Sequence, residues 1–226
     1  MSQTPTNIII FSHGFGVRKT DRGLFTAIAD ALPNSHSVLF DYNPINEESN
    51  TLTVKPLNEQ ALKLRKVINA TRAQYPDATL DLVCHSQGCV VAALVKPRGF
   101  RKIIMLTPPD DMSLATVTDQ LGTCKGIDIN VATRTRLPRS DGSTTIIHPE
   151  YWQSLADIEP VKLYNRLARV TKLCIINARQ DQVLDNVSFE GIDSGVSLVT
   201  LNGNHNFDDK PDRDQLLYIL KKELAQ

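Results

Sequence analysis

Six short runs rich in β-branched and aliphatic residues recur along the chain, and helix-period segments fill the gaps between them. The runs are 7–12 (NIIIFS), 37–42 (SVLFDY), 79–84 (TLDLVC), 102–107 (KIIMLT), 170–176 (VTKLCII) and 196–201 (VSLVTL). Each has the length of a buried strand and is bounded by turn residues. They are near-continuous in apolar character rather than strictly alternating, as strands covered on both faces are. Strand alternating with helix leaves few topologies open. It predicts an α/β fold with a mostly parallel central sheet of about six strands flanked by helices.

The helical segments carry their own punctuation. Residues 21–32 open with Asp21 as a candidate N-cap and stop before Pro33. Residues 57–74 set Leu57, Ala61, Leu64 and Ile68 near one stripe. Residues 87–95 are small and apolar, suited to close packing on a sheet, and 211–225 begin with Pro211 in the first turn. The stretch from about 108 to 168 breaks the rhythm. It holds Pro108-Pro109, a hairpin turn at Asp141-Gly142, and a helix-like run over 149–168. It is read as a small cap insertion folded over one edge of the sheet, inside a single domain spanning 1–226. The polar loop 43–56 is expected to border the site.

Charge excludes some partners. Lysine plus arginine number 25, and so do aspartate plus glutamate, so no global field draws the chain to nucleic acid or an anionic membrane. The apolar run Ile8–Phe11 is far too short for a membrane span or a leader, which points to a cytoplasmic protein. Cysteines stand at 84, 89, 124 and 174 with no CxxC, and the five histidines show no metal-ligand spacing with them. They are read as buried free thiols, and no metal or organic cofactor is expected.

The chemistry concentrates in residues 79–94, TLDLVCHSQGCVVAAL. Ser86 follows a strand and precedes a helix, the context that gives a G-x-S-x-G pattern its meaning. A sharp turn there lifts the hydroxyl above the sheet, and the N–H of Gln87 lies at a helix N-terminus, where it can stabilise an oxyanion. Cys84 and Cys89 are competing nucleophiles by position, but both lie in apolar surroundings that disfavour a thiolate. A serine needs a base and an acid to orient it. His205, in LNGNHNF, follows the last strand run, and Asp181, in NARQDQV, follows the fifth. All three lie past the C-terminal ends of strands, where open α/β sheets place their sites. The second oxyanion donor is the N–H of Phe15, in FSHGFG after the first strand, with His13 bracing that loop and His85 supporting the elbow.

HGFG at 13–16, CHSQG at 84–88, and Asp181 and His205 in that order together resemble the α/β-hydrolase superfamily, over Asn7 to about Leu224. The resemblance implies strand order 1-2-4-3-5-6-7-8, with this chain starting at what resembles the third strand. The one departure is Cys84, where the family has glycine. The expected activity is hydrolysis of small-molecule carboxylic esters, short acyl chains favoured, by a monomer or homodimer. Lactonase, thioesterase, amidase or peptidase activity uses the same machinery, and a non-catalytic binding protein is the reading from a different class. In the insertion, Ile147, Tyr151 and Trp152 are candidates to line an acyl pocket. Arg134, Arg136 and Arg139 form a local basic cluster, either a solvated hairpin face or a contact for a substrate carboxylate or phosphate.

Overall fold

All six strand runs form, and they lie side by side in one sheet. The computed structural model describes residues 5–127, 129–139 and 141–224. In chain order the elements begin with β1 (Asn7–Ser12), α1 (Leu24–Ala31), β2 (His36–Val38), β3 (Ile45–Asn46), β4 (Thr51–Val54) and α2 (Leu57–Gln74). Then come β5 (Thr79–His85), α3 (Gln87–Val95), β6 (Lys102–Leu106), α4 (Leu114–Lys125), β7 (Thr135–Pro138) and β8 (Thr144–Ile147). The chain closes with α5 (Pro149–Gln153), α6 (Pro160–Ala168), β9 (Lys172–Ala178), β10 (Ser197–Leu201) and α7 (Lys210–Leu224).

The main sheet has the order β10-β9-β6-β5-β1-β2, with every neighbouring pair parallel. This is the order expected once the first two strands are removed. Period-two alternation sorts its side chains into two core layers. Ile8, Ile10, Leu82 and Ile103 pack toward α2, α3 and α6. Ile9, Phe11, Val83 and Ile104 pack toward α1 and α7, against Leu24, Phe25, Leu216 and Leu220. Both faces are covered, which is why the strand runs read as continuous apolar stretches.

Four expectations change. The run 37–42 yields only a short edge strand, because Phe40 and Tyr42 leave the sheet to pack around His13. The Tyr42 ring centroid lies 4.8 Å from that of His13 and 4.8 Å from that of Phe40. Loop 43–56 holds β3 and β4, which join the hairpin β7–β8 in a second sheet of order β3-β4-β8-β7. Its signal was the brief alternation in TLTV, where Leu52 and Val54 are buried. The run 149–168 is two helices: a proline cannot continue a helix and disfavours the α conformation before it, so Pro160 starts α6 afresh. That helix packs on α3. Asp21 does not cap α1. It has φ 45°, Arg22 and Gly23 follow at 55° and 88°, and α1 begins only after this left-handed turn.

Candidate active site

The turn from β5 into α3 determines where Ser86 sits. Ser86 has φ 51° and ψ −129°, a region an L-residue occupies only when its surroundings hold it there. The holding comes from β1. Ser12 Oγ donates to the carbonyl of Gly88 at 2.8 Å, and a Cβ on Gly88 would lie 2.2 Å from the Ser12 carbonyl oxygen. Only glycine fits where that backbone passes. Cys84, at the position of the missing first glycine, meets no such wall. It is fully buried in the layer of Leu82 and Cys89, paired in register with Ser12 and Met105. Burial pushes the thiols of both Cys84 and Cys89 up. Cys84, Cys89 and Cys174 are free and buried; the side chain of Cys124 lies outside the described residues.

Asp181 and His205 meet beyond the ends of β9 and β10. His205 Nδ1 donates to Asp181 Oδ2 at 2.7 Å, while Asp181 Oδ1 accepts from the N–H groups of Val183 and Leu184, each at 2.9 Å. Burial opposes the charge on Asp181, yet His205 and these two amides keep its carboxyl below the usual range. Burial also pulls the His205 pKa down, against the bond to Asp181. Nε2 of His205 is thus left as the basic nitrogen. Ser86 and His205 line one cavity of about 230 Å³.

The loop after β1 lies against the elbow. A Cβ on Gly14 would sit 3.3 Å from Ser86 Cβ. Among the described residues, neither the Phe15 nor the Gln87 N–H donates to another protein group. His13 braces this loop by donating from Nδ1 to the Gly14 carbonyl at 2.9 Å and accepting the Tyr42 N–H on Nε2 at 3.1 Å. Burial holds its pKa down, consistent with that neutral tautomer. The Gln87 side chain is pinned as well: its Oε1 accepts from the Tyr151 hydroxyl at 2.6 Å and its Nε2 donates to Gln60 at 3.2 Å.

A second histidine–carboxylate pair sits beneath the first. His85 Nδ1 donates to Asp21 Oδ2 at 2.6 Å, and Nε2 donates to the carbonyl of His205 at 3.0 Å. Thr107 Oγ1 donates to that carbonyl too, at 3.1 Å. Burial disfavours charge on both partners, but their mutual attraction raises the pKa of His85 and lowers that of Asp21. An acceptor faces each ring nitrogen of His85, an arrangement that favours its protonated form. Asp21 also accepts the Gly14 N–H at 3.3 Å, so one carboxylate ties together the loop of Gly14 and, through His85, the loop of His205. No sequence pattern marks this role for Asp21.

The insertion supplies much of the cavity wall, but through Met112, Val117 and Leu121 more than through the residues expected. Tyr151 lines it, with Val17, Met112, Val117, Leu121 and Leu184 among the apolar walls. Ile147 does not, because it is fully buried in the core, and Trp152 lines a separate hollow with Leu114 and Leu155. The arginine cluster divides: Arg134 and Arg136 are exposed, while half-buried Arg139 turns inward, donates to the Gly16 carbonyl at 2.9 Å and lines the cavity. No helix among the described residues is long and apolar enough to cross a membrane.

No protein-family model and no curated protein matches the sequence. Solved structures do match. Est1E from Butyrivibrio proteoclasticus aligns over 99% of this chain and 89% of its own, at 16% identity and TM-score 0.71. The esterase domain of a Rhodothermus marinus protein aligns over 98% and 88%, at 15% identity and TM-score 0.68. A monoacylglycerol lipase of Paleococcus ferrophilus aligns over 98% and 95%, at 14% identity and TM-score 0.67. Identity this low speaks to architecture alone, and the architecture agrees with the strand order and the crossovers: the fold of this chain is that of the α/β-hydrolases.

Proposed function

We propose that the chain is a serine hydrolase of carboxylic esters with short acyl groups. The observation that carries this reading is the 2.7 Å bond from His205 Nδ1 to Asp181, in a histidine that shares a cavity with the strained Ser86. His205 Nε2 takes the proton of the Ser86 hydroxyl as Oγ attacks the ester carbonyl. The N–H groups of Phe15 and Gln87 receive the oxyanion; one such donor is worth roughly a hundred- to a thousand-fold in rate. The imidazolium then protonates the leaving alcohol. Water attacks the acyl-serine, passing its proton to His205, and the acid departs as Ser86 regains its hydrogen. Asp181 fixes the tautomer and stabilises the imidazolium without itself becoming protonated.

The esterases and lipase of the same fold support the reaction class. The cavity supports the acyl size: about 230 Å³ is below the ~300–1,000 Å³ typical of ligand pockets, and its walls are mostly apolar. A chain-length series of p-nitrophenyl esters, run on wild type and Ser86→Ala alongside fluorophosphonate labelling, tests both claims. Acetate to hexanoate should turn over fastest, and label should attach only when Ser86 is present. Labelling that survives Ser86→Ala would sink the mechanism, and faster turnover of a long-chain ester would sink the size preference.

A further inference from the structure

The cavity beside Ser86 carries positive charge that the ester reaction does not use. Arg22 and Arg139 both line it, with Ser86 and His205. Both also line a neighbouring cavity of about 420 Å³, alongside Arg18, Asn50, Thr51, Asp141 and Ser143. Only Val17, Arg22 and Arg139 belong to both, so the two arginines stand at the junction.

Among the described residues, neither has an ion-pair partner within 4.0 Å. Other arginines do: Arg18 pairs with Glu47 and Arg101 with Asp81. The one carboxylate lining the catalytic cavity, Asp21, is already committed to His85 and to the Gly14 amide. Asp141, on the outer side, is exposed and accepts from the N–H and hydroxyl of Ser143.

Of the two side chains, Arg139 is held, and Arg22 is exposed on a constrained backbone. Arg139 is anchored to the Gly16 carbonyl through one Nη2. Burial, and then the like charge of Arg22, pulls its pKa down to about 10, against the weaker attraction of Asp141 and Asp21. The attraction of an arriving anion offsets both penalties. Arg22 sits at φ 55° in the left-handed turn that sends Asp21 inward. Non-glycine residues are kept in such a conformation only by surrounding structure, and they cluster at functional sites.

We infer that Arg22 and Arg139 form an anion subsite, and that the ester hydrolysed at Ser86 carries a carboxylate or phosphate group held at the junction of the two cavities. Guanidinium forks suit both anions, because each presents paired oxygens to two parallel N–H donors. The apolar walls take the uncharged part of the substrate, and the arginines fix its far end so that the carbonyl lies at Ser86. The inference rests on the ester-hydrolase reading for its substrate, but the binding of an anion does not depend on turnover.

The test is calorimetric titration of Ser86→Ala with three intact esters: monomethyl glutarate, 3-acetoxypropyl phosphate and neutral dimethyl glutarate. At low salt the anionic esters should bind about 10- to 100-fold more tightly than the neutral one. Adding Arg22→Asn, a residue that tolerates the left-handed backbone, or Arg139→Gln, should remove most of that preference. The carboxylate and phosphate arms distinguish which anion fits better. Equal affinity for neutral and anionic esters, or a preference that survives both substitutions, overturns the subsite. Wild-type hydrolysis of the same esters is followed in parallel. If none is turned over, the ester-hydrolase reading falls, while the affinity ratio still decides the subsite.

Discussion

His85 donates from Nε2 to the backbone carbonyl of His205, 3.0 Å away. The residue before Ser86 therefore holds the loop that carries the proposed base. Asp21, bonded to the other nitrogen of His85, extends the same support to Gly14. Ser86, the His205 loop and the Gly14 loop are thus registered against one buried ion pair.

Replacing His85 by glutamine should expose that positioning role. We expect kcat to fall by about 10- to 100-fold with a smaller change in KM, as for a misplaced catalytic group. A purely structural residue would not move the pH profile, but this one should. The His85 cation lowers the pKa of His205, so its removal shifts the acid limb of the rate to higher pH. An unchanged limb in the variant would refute the coupling.

In the wild type, the acid limb should lie low. His205 must be neutral to act, and burial holds its pKa below the ordinary 6.5. Activity on a neutral ester should therefore persist below pH 6.5 and fall only at more acidic pH. A profile of kcat/KM between about pH 4.5 and 8.5 checks this; a midpoint above 6.5 would contradict it.

Asp21→Asn should destabilise the fold by about 3–5 kcal/mol, because it leaves the His85 charge buried alone. The loss depends on pH. The folded pKa of Asp21 is lowered, so its stabilisation is full above 3.8 and fades as pH falls through the folded value. The folded pKa of His85 is raised, so its stabilisation is full below 6.5 and fades as pH rises through the folded value. Both are complete only between 3.8 and 6.5. Denaturant unfolding near pH 5 should show a larger gap between wild type and variant than at pH 8.5. An equal gap would mean that His85 is neutral.

Two glycines offer an internal comparison. Gly88→Ala drives a methyl to 2.2 Å from the Ser12 carbonyl oxygen, so β1 or the elbow must move. Loss of soluble protein or of activity is expected. Gly142→Ala faces open space at φ 80°, and only the left-handed backbone resists it, at roughly 1–2 kcal/mol. Melting temperatures of the two variants should differ accordingly; similar values would show that the elbow yields more readily than its contacts imply.

Much of this was legible in the residues. The strands buried on both faces announced themselves as apolar runs, and the helix-period segments between them fixed the parallel order. Ser86, Asp181 and His205 could be proposed because each follows a strand. What stayed hidden depends on contacts between distant segments. Asp21 looks like a helix cap because aspartate before a helix usually is one; its pairing with His85, 64 residues on, leaves no local trace. Strand β3, two residues long, is too short for periodicity to reveal, and the four-residue alternation of β4 lies in an otherwise polar loop. Ile147 and Trp152 could be assigned to the insertion, but which of its side chains face Ser86 depends on how α4 and α5 dock. Arg139 stands out from Arg134 and Arg136 only because the hairpin turns it inward.

The second sheet is stitched from two lengths of chain, 45–54 ahead of α2 and 135–147 after α4, with β4 and β8 paired in its middle. Transplanting the later length alone into another protein of this fold would leave β4 behind without its parallel partner, and would carry away the arginine that grips Gly16. The second sheet therefore cannot be exchanged as a single cassette. The two halves must travel together, and variation in one constrains variation in the other.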